Sequence, residues 1–116
     1  MSLPLNFESL IVEAETLNLY EKLIIQLNKD LLLANIDLEF DVETPPTSLK
    51  FMLRETVFNL IQNKFTEYLN FLYLVDVSEL KLSMLNENNT NQFSEEVTFL
   101  ILQREWQKVW YKAKYS

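Results

Sequence analysis

The stretch L-N-L-Y-E-K-L-I-I-Q-L-N-K-D-L-L-L-A at residues 17–34 decides the fold class. Its apolar side chains recur at gaps of 3, 4, 3, 4 and 3 residues, which is the spacing of one helix packed along another. The same helical spacing extends back along the chain to Phe7. Residues 7–34 are therefore expected to form either one long helix or two helices joined near residues 16–18. The positions that carry the spacing are Leu17, Tyr20, Ile24, Leu27, Leu31 and Ala34.

Two asparagines mark boundaries of this helical segment. Asn18 lies three residues before Glu21, which is the spacing of a capping box and favours a break between two helices. Asn35 can end the second helix, because asparagine tolerates the left-handed backbone conformation that glycine usually supplies. The chain contains no glycine at all.

Helical patterns continue downstream. Apolar residues over 49–74 form a wide stripe, which predicts one central helix with neighbours on more than one side. It follows T-P-P-T-S at 44–48, where Thr44, Thr47 and Ser48 are candidate N-caps. Residues 79–85 fit a short helix better than a strand.

The polar run N-E-N-N-T-N-Q at 86–92 predicts a loop, and Ser94 is the candidate N-cap of a last helix. We therefore predict one mainly α domain over residues 1–116. Its expected architecture is a compact bundle of four to five helices, with one short extended or strand segment near residues 36–43.

That segment, I-D-L-E-F-D-V-E at 36–43, is called the acidic segment below. Its four apolar residues alternate with Asp37, Glu39, Asp41 and Glu43, which is typical of extended backbone with one buried face. A lone strand must pair its backbone groups or leave them solvated. Its partner is residues 79–85, the same segment of a second subunit, a strand of another protein, or none, in which case it is an arm on the helices.

The composition excludes most familiar kinds of active site. The chain has no cysteine, no histidine and no glycine, so it lacks thiolates, imidazoles and glycine-rich phosphate loops. Carboxylates alone remain as candidate metal ligands or acid/base groups. Acids that alternate on a strand point outward together, so we expect a solvated acidic face and no catalytic residue, cofactor or metal. The carboxylates considered are Glu8, Glu15, Asp37, Glu39, Asp41, Glu43, Glu95 and Glu96.

The C-terminal stretch combines tryptophans with bases. Trp106 and Trp110 lie one helical turn apart, and Lys108, Lys112 and Lys114 surround them. Interleaved bases and aromatic rings suit single-stranded nucleic acid, but the net charge of −7 opposes that interpretation. The structural alternative is that the tryptophans anchor the last helix to the core.

The charge distribution leads to a functional hypothesis. Residues 1–48 hold nine acids and two bases, a balance of −7, whereas residues 97–116 hold one acid and four bases, a balance of +3. We expect a non-enzymatic protein-interaction module of adaptor, chaperone or inhibitor type, which binds another protein or itself. Its expected contacts are the four acids of the acidic segment together with Trp106, Trp110 and Lys112. The alternative is a nucleic-acid-associated protein that uses the basic, aromatic last helix.

The expected location is the cytoplasm. No basic residue precedes Lys22, so the first residues lack the charged region of a signal peptide. No apolar run approaches the roughly 20 residues that span a bilayer. We therefore expect no contact with a membrane.

Overall fold

The computed structural model describes residues 2–116, which form a bundle of six helices and no strand. The predicted mainly α bundle is confirmed, and its six helices are one more than the four to five expected at most. No helix in the described range is both long enough and apolar enough to cross a bilayer. The helices are α1 (Phe7–Thr16), α2 (Tyr20–Leu33), α3 (Pro46–Asn63), α4 (Phe65–Val75), α5 (Glu79–Ser83) and α6 (Thr90–Tyr115).

The additional helix arises from a break at Lys64. The expected single helix over 49–74 is two helices, α3 and α4, because Lys64 has φ −144° and ψ 60°. The break between α1 and α2 is confirmed, as is the short helix within residues 79–85. The central element is α6, which packs against α1, α2, α3 and α4.

Three helix ends use asparagine or aspartate where glycine is usual. Asn18, Asn35 and Asp76 have φ values of 58°, 60° and 69°, and the residue after each donates its N–H to a carbonyl in the last turn. This is the Schellman arrangement, which satisfies carbonyls left free at a helix end. The prediction for Asn35 is confirmed. The prediction of a capping box at Asn18 was wrong, because Asn18 ends α1. The N-cap of α2 is Leu19, which makes no side-chain hydrogen bond to the helix.

The predicted N-caps of the later helices are also corrected. Helix α3 starts after Pro45, and no side chain caps it, so Thr44, Thr47 and Ser48 do not act as N-caps. Asn89 caps α6 by accepting a hydrogen bond from the Gln92 N–H, and the helix therefore starts four residues before Ser94. The proline at the first position of α3 suits a helix start without a cap, since its missing N–H needs no partner.

The core lies between α6 and the helices around it. Trp106 and Phe71 are its largest fully buried side chains. Ile24, Leu27, Leu31 and Ala34 of the quoted stretch are buried with them, whereas Leu17 is 47% exposed where α1 ends. The helix spacing therefore identified the buried face of α2.

Candidate functional site

The acidic segment is an arm held against α2. It pairs with no strand among the described residues, and residues 79–83 are helical, so the alternative of pairing with residues 79–85 was wrong. Within this chain the segment is an arm, and its pairing with a second subunit or with another protein stays a prediction. Ile36 and Leu38 are half-buried and Phe40 is 3% exposed, while Asp37 and Glu39 face solvent. The expected alternation of buried and exposed side chains therefore holds as far as Phe40.

A side chain takes the place of the missing strand. The Asn28 Nδ2 donates to the Phe40 carbonyl at 2.8 Å, and the Phe40 N–H donates to Asn28 Oδ1 at 2.8 Å. One amide thus satisfies both backbone groups of Phe40, as an adjacent strand would. Further along, the Tyr20 hydroxyl donates to the Thr44 carbonyl at 2.6 Å, so α2 holds the arm at two points.

The second half of the acidic segment departs from the prediction. The Thr44 N–H donates to the Asp41 carbonyl at 3.0 Å, and the Glu43 N–H donates to Asp41 Oδ1 at 2.8 Å. This turn ends the alternation, and Val42 is therefore 37% exposed and not directed inward. Asp41 and Glu43 are exposed on the turn.

We expect Asn28→Ala to destabilise the fold by roughly 2 kcal/mol, because it leaves the partly buried N–H and carbonyl of Phe40 without partners. The Phe40 amide should lose most of its protection from hydrogen exchange. Denaturant unfolding and exchange measured by NMR check both effects. Asn59→Ala is the control, since Asn59 accepts an exposed hydrogen bond from Asn63. Unchanged protection at Phe40 would show that Asn28 does not hold the arm.

The acidic segment also borders a groove with further carboxylates. Asp37 lines a groove of about 460 Å³ together with Glu55 and Glu67, and Lys64 is the base that accompanies them. None of the four acids of the segment forms a salt bridge within residues 2–116. This surface therefore carries an excess of uncompensated negative charge.

The structure separates the residues predicted at the C-terminal helix. Trp106 is fully buried, so it anchors the last helix to the core, and its ring is not part of a contact surface. Trp110 is half-buried, and the Lys114 ammonium lies 5.3 Å from its ring centroid, a cation–π contact. Lys112 is exposed. The rings of Tyr111 and Tyr115 stack with centroids 5.8 Å apart.

Lys108 belongs to a buried polar cluster that the sequence did not predict. Its ammonium lies 2.8 Å from Asp30 Oδ2 and 3.3 Å from Glu105 Oε1, and it donates to the Leu74 carbonyl at 3.2 Å. The cluster, defined as Asp30, Glu105 and Lys108, thus links α2, α6 and the end of α4. It withdraws Lys108 from the basic surface that nucleic-acid binding requires.

Burial and neighbouring charges push the two carboxyl pKa values apart. Burial, together with the Asp30 carboxylate, raises the pKa of Glu105 to about 9 against the opposing Lys108 ammonium. Burial also acts to raise the pKa of Asp30, but the neighbouring Glu105 carboxyl and the hydrogen-bonded Lys108 ammonium outweigh it and lower that pKa overall. At neutral pH the cluster therefore holds a protonated Glu105 beside an ionised Asp30–Lys108 pair.

The protonated and the ionised carboxyl of this cluster resemble a catalytic acid/base pair in their charges, but not in their exposure. Glu105 is fully buried and Asp30 is 4% exposed, so the two carboxyls offer a substrate almost no accessible surface. The contacts of Lys108 join three helices. A spacing signal for Glu105 existed, because it lies four residues after Ile101 and four before Val109, on the buried face of α6.

In the described part of the chain, no three acidic side chains are grouped so that they could hold a metal ion. The acids of the acidic segment are spread along an exposed arm and a turn. Comparisons of the chain with protein-family models, with curated proteins and with solved structures found no match.

Proposed function

We propose that this chain is a non-enzymatic protein-binding module of adaptor, chaperone or inhibitor type, acting in the cytoplasm. Its principal contact is the acidic segment, which binds a basic surface of another protein or of a second copy. The observation that carries the proposal is that Asp37, Glu39, Asp41 and Glu43 are all exposed on an arm secured by Asn28 and Tyr20.

Securing the arm in advance favours binding. A segment that is already ordered loses little conformational entropy when a partner binds, so more of the interaction energy contributes to affinity. The uncompensated carboxylates attract a basic partner and raise its association rate. Glu67 extends the negative surface beside Asp37, whereas Glu55 is paired with Arg54 at 3.1 Å.

The exposed end of α6 is a second contact in this proposal. Trp110 and Lys112 lie there, near the stacked rings of Tyr111 and Tyr115. Half-exposed aromatic rings contribute strongly to protein interfaces. Nucleic-acid binding is less supported, since Lys108 is bound to Asp30 and leaves Lys112 and Lys114 as the bases of this helix end.

We expect Asp37→Lys combined with Asp41→Lys to leave the fold intact and to abolish capture of partners from native cell extract. Both side chains are exposed, and the hydrogen bond lost from the Glu43 N–H to Asp41 Oδ1 is exposed as well, so the stability effect should stay within about 1 kcal/mol. Pull-down with mass spectrometry measures capture, and circular dichroism checks the fold.

The matched control carries the same change of charge on another surface, namely Glu8→Lys with Glu13→Lys on α1. This control should recover the same partners as the unchanged chain. Recovery of those partners by the Asp37→Lys, Asp41→Lys variant would exclude the acidic segment as the contact.

A further inference from the structure

An apolar pocket of about 520 Å³ lies between α3, α4, α5 and the start of α6. Three aromatic residues line it, namely Phe65, Tyr68 and Phe93. The volume falls within the range of about 300 to 1,000 Å³ that is typical of binding pockets. The short helix α5 forms one wall and contributes no buried residue to the core.

The pocket opens onto an exposed apolar stripe along α4. Phe65 and Leu69, both in the pocket lining, are 54% and 51% exposed, and Tyr73 is 82% exposed. These residues are spaced four apart and therefore share one helix face. The stripe offers anchoring positions to a helix lying across α4, in the manner of helix-in-groove recognition.

The charges around the pocket select the partner. Glu79 and Glu87 belong to its lining, and no base does. Lys81 of α5 is directed elsewhere, since its ammonium donates to Gln103 Oε1 at 3.1 Å. The larger groove between α1 and α3 lacks this selectivity, because its bases Lys50 and Arg54 are already paired with acids.

We propose that this pocket binds a basic amphipathic helix of a partner protein, which places apolar side chains among the aromatic rings and its bases on Glu79 and Glu87. The proposal rests on the proposed function and extends it to a third surface. The sources of recognition are apolar burial and charge complementarity.

The test uses a fluorescently labelled peptide of about 14 residues. As a helix, this peptide carries leucines on one face and lysines on the opposite face. Its acidic twin carries glutamate in place of each lysine. Fluorescence anisotropy measures the dissociation constant for each. We expect the basic peptide to bind at least about tenfold more tightly than its twin.

Two variants locate the site. Leu69→Asp, and Glu79→Lys combined with Glu87→Lys, should each weaken binding of the basic peptide by about tenfold or more. Leu32→Asp is the control for the first, because Leu32 is 78% exposed on α2 outside the pocket. Glu8→Lys with Glu13→Lys, outside the pocket lining and outside the acidic segment, is the charge-matched control for the second and should leave this affinity within about threefold.

Equally tight binding of the acidic twin would overturn the proposal. So would an equal loss of peptide affinity in the Glu79→Lys, Glu87→Lys variant and in its charge-matched control. If the peptide affinity depends on Asp37 and Asp41 and not on Glu79 and Glu87, the pocket is excluded while the acidic segment remains the contact. Sedimentation of the unliganded chain gives the remaining outcome: self-association that Leu69→Asp abolishes would make a second copy the occupant and overturn the peptide proposal.

Discussion

Lys108→Met should lower the free energy of unfolding by about 3 kcal/mol, because it leaves the Asp30 carboxylate buried without its counter-charge. Asp30 is 4% exposed and its oxygen lies 2.8 Å from the Lys108 ammonium. The change also removes the donor to the Leu74 carbonyl at the end of α4. Urea unfolding followed by circular dichroism measures the loss, and a typical domain has only about 5–15 kcal/mol in total.

Two further variants identify the cause of that loss. Lys112→Met removes an exposed lysine one turn later on the same helix and should change the unfolding free energy by less than about 0.5 kcal/mol. Adding Asp30→Asn to Lys108→Met should recover part of the loss, since it removes the uncompensated charge. Equal effects of the two lysine substitutions would contradict the buried ion pair.

The second large effect is a dependence of stability on pH that resides in Glu105. Its folded pKa of about 9 lies above the ordinary value of 4.5, so between these limits the folded chain holds a proton that the unfolded chain has released. Stability should therefore fall as pH rises through this window, by up to about 1.4 kcal/mol per pH unit. Asp30, whose pKa is lowered, acts in the opposite direction and at lower pH.

Glu105→Gln tests this origin directly. A neutral amide of similar shape should remove most of the slope between pH 5.5 and 8.5, so that the variant equals or exceeds the unchanged chain in stability at the alkaline end. Urea unfolding at a series of pH values measures the slope. Glu87→Gln, a change at an exposed acid, should retain it. A slope that survives in Glu105→Gln would assign the effect to other groups.

Local signals in the sequence predicted local structure well. Asn35 ends α2 because its left-handed conformation depends mainly on the residue itself and on the last helical turn. The buried face of α2 followed from the spacing of Ile24, Leu27 and Leu31. The break at Lys64 had no such signal, since apolar residues continue across it and neither proline nor glycine marks it.

The candidate sites depend on contacts between distant parts of the chain. Asn28 meets Phe40 across 12 positions, and Lys108 meets Asp30 across 78. In the sequence, Asn28 and Lys108 fit an exposed helix face as well as a buried one. The helical periodicity therefore could not assign either side chain to its contact. The acidic segment was predictable because its alternation and its charges are both local. The turn at Asp41 is local too, with hydrogen bonds from Glu43 and Thr44, but the alternation of apolar and acidic residues continues to Glu43 and favoured extended backbone there.

The central claim is that the exposed carboxylates of the acidic segment bind a basic partner. The most direct test is the dissociation constant of a partner recovered by pull-down, measured by calorimetry for the unchanged chain and for Asp37→Lys with Asp41→Lys. We predict a loss of at least about tenfold in that variant, with Glu8→Lys plus Glu13→Lys staying within about threefold. Equal dissociation constants for the unchanged chain and the Asp37→Lys, Asp41→Lys variant would contradict the claim.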